Sequence, residues 1–166
     1  ANFEVTRSAG GKLVGRVLHP SGNSSWGSDV RYVSVDAFDP KGRGNWAEIE
    51  DNGTFEIPLN PGNYEVFVWV SPEFTGYGGP EPRFIRIGKD AVSLGDVSLV
   101  SRTSTIKGSV RTESGSAMLN VEVYAWSEEG GWVSDVTNVN GEYSLAVTSG
   151  RWEVGFELPV SEGDEE

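Results

Sequence analysis

The 166-residue sequence predicts an all-β chain built as two tandem antiparallel β-sandwiches. Three observations predict this class. Apolar and polar residues alternate with period two, turn-forming residues punctuate the alternation, and the whole pattern recurs downstream at a fixed spacing. The composition agrees, with 22 glycines, 8 prolines and 11% aromatic residues, as suits many short strands joined by tight turns. No helical stretch longer than a turn is expected.

The first predicted strand sets Leu13, Gly15 and Val17 on one face and Lys12, Val14 and Arg16 on the other. The next sets Val33, Val35 and Ala37 against Ser34, Asp36 and Phe38. Phe55 and Ile57 then alternate with Thr54 and Glu56, and Tyr64, Val66 and Val68 with Glu65, Phe67 and Trp69. Between these runs lie Pro20-Ser21-Gly22, Asp39-Pro40-Lys41-Gly42, Asp51-Asn52-Gly53 and Asn60-Pro61-Gly62. Each supplies Gly or Asn where the backbone must take a positive φ. Further strands are expected near Arg83–Ile87 and over Asp96–Ser101.

The repeat is read from matched segments. Val33–Phe38 matches Val121–Trp126, Asn52–Phe55 matches Asn140–Tyr143, and Gly62–Val66 matches Gly150–Val154, all at an offset of 88. Gly15 matches Gly108 and Ser21-Gly22 matches Ser114-Gly115 at 93, so the first repeat carries five extra residues in the 23–30 loop. One spacing held over three segments defines two copies of one sandwich.

Composition removes several functions. The net charge of −12 repels a phosphate backbone, which excludes nucleic acid as a partner. No apolar run reaches the roughly 18 residues that a membrane-spanning helix needs, so no membrane insertion is expected. There is no cysteine, hence no disulfide framework or thiolate metal site, and the single histidine, His19, cannot build a multi-histidine centre. An ordinary apolar fraction of 37% separates the chain from a disordered acidic tail. The first residue is Ala1 rather than Met, which reads as a processed or excised form.

The order Gly-x-Val, Ser-Gly, Val-x-Val-x-Ala, Asn-Gly-x-Phe/Tyr and Gly-x-Tyr/Trp-x-Val resembles carboxypeptidase regulatory-like domains. The resemblance covers roughly residues 11–100 and 104–159. It implies immunoglobulin/prealbumin-like sandwiches of about seven strands, used as non-catalytic modules of secreted and cell-surface proteins, and it is nearly silent about chemistry.

The repeats are unequal. The first continues beyond Val70 into two further strands, whereas the second has only Pro159–Glu166 after the matching point. Residues 1–8 belong to neither repeat, yet Phe3-Glu4-Val5 alternates like Val97-Ser98-Leu99, and Arg7-Ser8 resembles Arg102-Thr103 ahead of the next first strand. The expected division is residues 1–10 as a donor strand, 11–102 as the first sandwich and 103–166 as an incomplete second one. A sandwich missing a strand exposes unpaired backbone and an apolar slot. Strand donation by Phe3, Val5 and Arg7 of one chain into the second sandwich of the next would give a head-to-tail homopolymer. Two other readings stay open: residues 1–8 finish a preceding module of a longer array, or they fold back on their own chain. The joint near Val100–Ser104 is short, which favours a stiff rod.

Candidate chemistry is sparse. With His19 beside Pro20 and no Gly-x-Ser-x-Gly or His-Glu-x-x-His motif, no enzyme activity is expected. Calcium is the cofactor that oxygen-rich loops suit, with Asp36, Asp39, Glu50, Asp51, Asp90 and Asp96 as candidate ligands and an acidic end at residues 162–166. No twelve-residue EF-hand spacing is present, and solvated surface carboxylates are the simpler account. A Lys–Asn/Asp isopeptide crosslink is not expected, because the positions four after Tyr64 and Trp152 are Val68 and Phe156 rather than Glu. Repeat matching equates Trp46 with Trp132, Phe38 with Trp126 and Tyr64 with Trp152, which favours core or inter-strand packing for them. Trp26 and Tyr77 are then the candidates for an exposed sugar platform, should the partner be a glycan or other surface ligand. Asn23-Ser-Ser and Asn52-Gly-Thr have the form of N-glycosylation sites.

Overall fold

A computed structural model of the chain describes residues 10–128 and 131–159. The first repeat contains β1 (Gly11–Leu18), β2 (Val33–Phe38), β3 (Gly44–Glu48), β4 (Thr54–Leu59), β5 (Gly62–Val70), β6 (Tyr77–Gly78), β7 (Arg83–Ile87), β8 (Ala91–Ser98) and β9 (Val100–Ser101). The second contains β10 (Ser104–Ser109), β11 (Glu122–Ser127), β12 (Gly131–Val136), β13 (Glu142–Val147) and β14 (Glu153–Glu157). The described residues form an all-β fold. One helical element departs from expectation: the extra loop of the first repeat forms a 3-10 helix over Gly27–Tyr32, longer than a single turn.

In the first repeat a sheet β4-β1-β8 faces a sheet β3-β2-β5-β7. The alternation read from sequence decides what lies between them. Leu13 and Val17 of β1, Phe55 and Ile57 of β4, Val35 and Ala37 of β2, and Val66 and Val68 of β5 all belong to one buried cluster. Neighbouring strands pair antiparallel with one exception that the sequence did not announce. β8 runs parallel to β1, from Lys12↔Ala91 to Leu18↔Ser98, with a register shift between Val14 and Arg16. It also begins earlier than the expected Asp96–Ser101. β9 is a separate short strand paired to β6, and the Arg102 amide donates to Gly76 O at 2.7 Å.

The second repeat rebuilds the same frame with fewer strands: β10-β13 faces β12-β11-β14. Val123, Ala125, Val133, Leu145 and Val147 form its core. Several local devices are duplicated. The Val17 amide donates to Gly53 O and the Val110 amide to Gly141 O, both at 2.8 Å. Gly53 and Gly141 take φ of +81° and +74°, a region costly for any residue with a Cβ. The Tyr64 hydroxyl donates to Asn60 O at 2.8 Å, and the Trp152 indole N–H to Thr148 O at 2.9 Å, so a phenol and an indole lock the same corner.

One sequence equivalence is corrected by the register. Trp46 pairs with Asp36, while Trp132 pairs with Trp126. At the offset of 88 the counterpart of Trp46 is Ser134, paired with Tyr124. Nor are Phe38, Trp46, Trp126 and Trp132 core residues, for all four are exposed.

Candidate functional site

Among the described residues, the feature that separates the repeats is an edge without a partner strand. In the first, β1 is hydrogen-bonded on both sides, by β4 and β8, and β5 on both sides, by β2 and β7. Among the described residues of the second, β10 pairs only with β13 and β14 only with β11. The positions filled by β7 and β8 in the first repeat therefore have no occupant among the described residues.

The side chains register the same difference. Val154 and Phe156 pair across the ladder with Ala125 and Val123, both buried, so all four point to the inner face. Their counterparts Val66 and Val68 are 3% and 9% exposed, but Val154 and Phe156 are 45% and 56% exposed. Ile106 and Val110 of the second repeat are only partly buried, where Leu13 and Val17 are wholly buried. Sixteen residues form the buried cluster of the first sandwich and five that of the second, counted over the described residues. Among the described residues, inward-facing apolar surface and strand backbone without a ladder partner thus lie together in the second repeat, the kind of edge to which an extended strand can add.

The proposed donor residues Phe3, Val5 and Arg7 lie outside the described residues, as does the acidic stretch at 162–166. Arg102, matched to Arg7 in sequence, is half-buried. Desolvation lowers its pKa, and its Nε is buried without a hydrogen-bond partner.

The six carboxylates considered for calcium are not gathered into one site. Among the described residues no three Asp, Glu or His side chains converge. Asp39 closes its own turn: the amide N–H groups of Arg43 and Lys41 donate to Oδ1 at 2.9 Å each, and Arg43 Nε donates to Oδ2 at 3.1 Å. The Arg43 amide in particular holds that carboxyl below the usual Asp range. Asp51 accepts from the Ser25 hydroxyl and the Gly27 amide, both at 2.8 Å. Asp96 accepts two bonds from the Arg16 guanidinium, each 3.0 Å. Asp36 is half-buried on β2, where burial raises its pKa and the Ser34 hydroxyl, 3.2 Å away, partly offsets the rise. Glu50 and Asp90 are exposed.

Trp26 is not an exposed platform. It is 3% exposed, its indole N–H donates to Val17 O at 3.0 Å, and His19 packs against it edge-on at 4.7 Å. Phe74 lies between Trp26 and Tyr77, with ring centroids 6.0 and 5.8 Å away. The two residues do come together, but as a plug that pins the extra loop and the 71–82 loop to the sandwich. Asn23 is exposed, and Asn52 is an exposed turn residue whose Oδ1 accepts from the Thr54 amide and hydroxyl at 3.0 and 2.6 Å.

Sequence reasoning missed the surroundings of His19. Ser21 Oγ lies 2.6 Å from Nδ1, and Asp29 Oδ2 lies 3.3 Å from Nε2. The group looks like a Ser–His–Asp relay, but Nδ1 also receives the Ser21 amide at 3.2 Å, and Ser21 Oγ accepts the Asn23 amide at 3.3 Å. Those bonds make it a turn staple that holds the 3-10 helix. No spacing motif could have flagged Asp29, since the extra loop alone brings it there.

No family model and no curated protein matches the chain. Several solved structures resemble it. It is similar to the Bacillus anthracis TIE protein at 16% identity and a TM-score of 0.42, over 90% of this chain and 29% of that one. It is similar to a streptococcal ancillary pilin at 12% identity and a TM-score of 0.38, over 86% of this chain and 51% of that one. A DUF3823 family protein from Parabacteroides merdae is similar at 12% identity and a TM-score of 0.41, over 83% of this chain and 80% of that one. The chain thus spans less than a third of the first of these proteins and about half of the second.

Proposed function

We propose that this chain is a non-catalytic structural protomer of the cell exterior, assembled head to tail by strand addition. The N-terminal segment of one copy takes, in the second sandwich of the next, the position that β8 holds in the first. The carrying observation is the exposure of Val154 and Phe156, whose counterparts in the first repeat are buried. The slot beside β1 in the first sandwich is already filled by β8, which disfavours insertion of the segment there in its own chain. By analogy with β8 the donor runs parallel to β10, with Phe3 and Val5 facing the core. Burying that pair would contribute roughly 3–6 kcal/mol, besides ladder hydrogen bonds. The contact is heterologous, so it need not close on itself and allows head-to-tail propagation. One eight-residue strand replaces β8 and leaves the β14 edge free.

The test compares the intact chain with Phe3→Asp/Val5→Asp by sedimentation velocity and negative-stain microscopy. The intact chain is expected to form concentration-dependent linear oligomers, and the double variant to remain monomeric. A peptide of residues 1–8 should cap the oligomers. Long fibres from a chain beginning at Gly10 would refute the proposal.

A further inference from the structure

A second surface, independent of strand exchange, lies on the outer face of β3-β2-β5-β7. The buried alternation that turns Val35, Ala37, Val66 and Val68 inward turns their neighbours out. Those neighbours form two cross-strand rows of one design. In the first row Phe84 pairs with Glu65 and Glu65 with Phe38. In the second, Phe67 pairs with Asp36 and Asp36 with Trp46. Cross-strand partners stand about 5 Å apart, so each carboxylate sits between two aromatic rings. Trp69, two residues along from Phe67, extends the aromatic surface into a third row.

Phe84 and Trp46 are not there for packing, being 82% and 56% exposed, and Phe38 and Trp69 are exposed as well. The second repeat keeps part of the design at the same register, with Trp126 between Glu153 and Trp132. An aromatic ring and a Glu retained side by side on the outside of two unequal sandwiches suggest recognition, because neither core needs them.

We infer that this face is a binding platform for a neutral, hydroxyl-rich polysaccharide, whose sugar rings lie on Phe84, Phe38 and Trp46 and whose hydroxyls donate to Glu65 and Asp36. The chemistry of the face selects that occupant. The polar groups placed between the rings of the first two rows, Glu65 and Asp36, are acceptors, so the ligand must present apolar faces together with hydroxyl donors. The same carboxylates, on a chain of net charge −12, repel uronate or sulfate polymers. A compact cation is best held where several ring faces enclose it, whereas this surface is open and spread over four strands. An extended chain of sugars matches it in shape.

Native affinity electrophoresis of the full chain through gels containing barley β-glucan, glucomannan, amylose, alginate or chitosan tests the inference, with far-UV circular dichroism as a folding control. At least one neutral polymer should retard the protein. Trp46→Ala/Trp69→Ala and Phe84→Ala should each weaken that retardation about tenfold, the loss of one ring-stacking contact or more. Trp26→Phe, a change in the buried plug, should leave it intact. Retardation by alginate or chitosan alone, by no polymer, or equally in wild type and in folded platform variants would overturn the inference. Sedimentation of the same variants should show unaltered assembly, which keeps this result separate from strand donation.

Discussion

The two sandwiches place five strands in matching positions, yet they bury very different amounts of themselves. In the first, β7 and β8 flank the frame, and every inward residue of β5 is covered. In the second, β14 carries the same inward pattern and leaves Val154 and Phe156 open. Alternation within a strand therefore decides which way a side chain points, but only a neighbour decides whether it is buried. Among the described residues, inward-directed apolar side chains with no strand over them distinguish the second frame from the first, and the proposed donor strand is what would cover them.

Substitutions at matched positions sharpen this contrast. The largest difference is expected between Leu13→Ala and Ile106→Ala. In urea denaturation the first should cost about 2–5 kcal/mol, as for a filled core position, and the second less than about 1 kcal/mol in the monomer. An Ile106→Ala cost that rises when peptide 1–8 is added would show the slot being closed. Equal costs without peptide would mean the second core is already complete.

Next in size is the shared turn. Gly53→Ala and Gly141→Ala each force a Cβ onto a positive-φ residue and against the carbonyls of Val17 and Val110, respectively. Each should lose about 1–3 kcal/mol, read from the denaturation midpoint. Here the repeats should behave alike, because the turn does not depend on the closing strands. Smaller again is the corner bond. Tyr64→Phe should cost about 1 kcal/mol by removing the bond to Asn60 O, and Trp152→Phe should cost at least as much, since it also removes ring volume.

The smallest effect concerns Asp36, which has Tyr124 as its counterpart. Burial raises the folded carboxyl above its unfolded value near 3.9, so the native state binds the proton more readily. That contribution is complete below the unfolded value and is lost as pH rises through the folded one. Asp36→Asn should therefore match or slightly exceed wild type in melting temperature at neutral pH, with the advantage vanishing as pH falls towards 4. An advantage that widened on acidification would contradict the assignment.

Much of this was legible in the chain itself. The period-two runs located the inner faces, and the repeated Asn-Gly and Gly-x-Tyr/Trp-x-Val segments located the shared turn and corner. What escaped depended on tertiary pairing. The parallel course of β8 follows from where the chain crosses between sheets, which no local pattern encodes. Trp26 read as an exposed ring because its loop is unique to the first repeat, yet its indole fills a gap above Val17 and Gly53. Trp46 and Trp132 looked equivalent because a two-residue slip along one face conserves outward direction while changing the partner. The carboxylates were visible as residues, but only coordinates show that Asp39, Asp51 and Asp96 are already engaged.

The pairing of β1 with β8 also bears on mechanics. These strands lead into and out of the first sandwich, side by side and in the same direction. Tension on the polypeptide pulls the start of one against the end of the other, loading the two stretches of their ladder, either side of the register shift between Val14 and Arg16, in shear so that the bonds resist together instead of unzipping singly. A donor lying parallel to β10 would give each joint between subunits the same geometry, and a thread made this way would be strongest along the direction in which it is stretched.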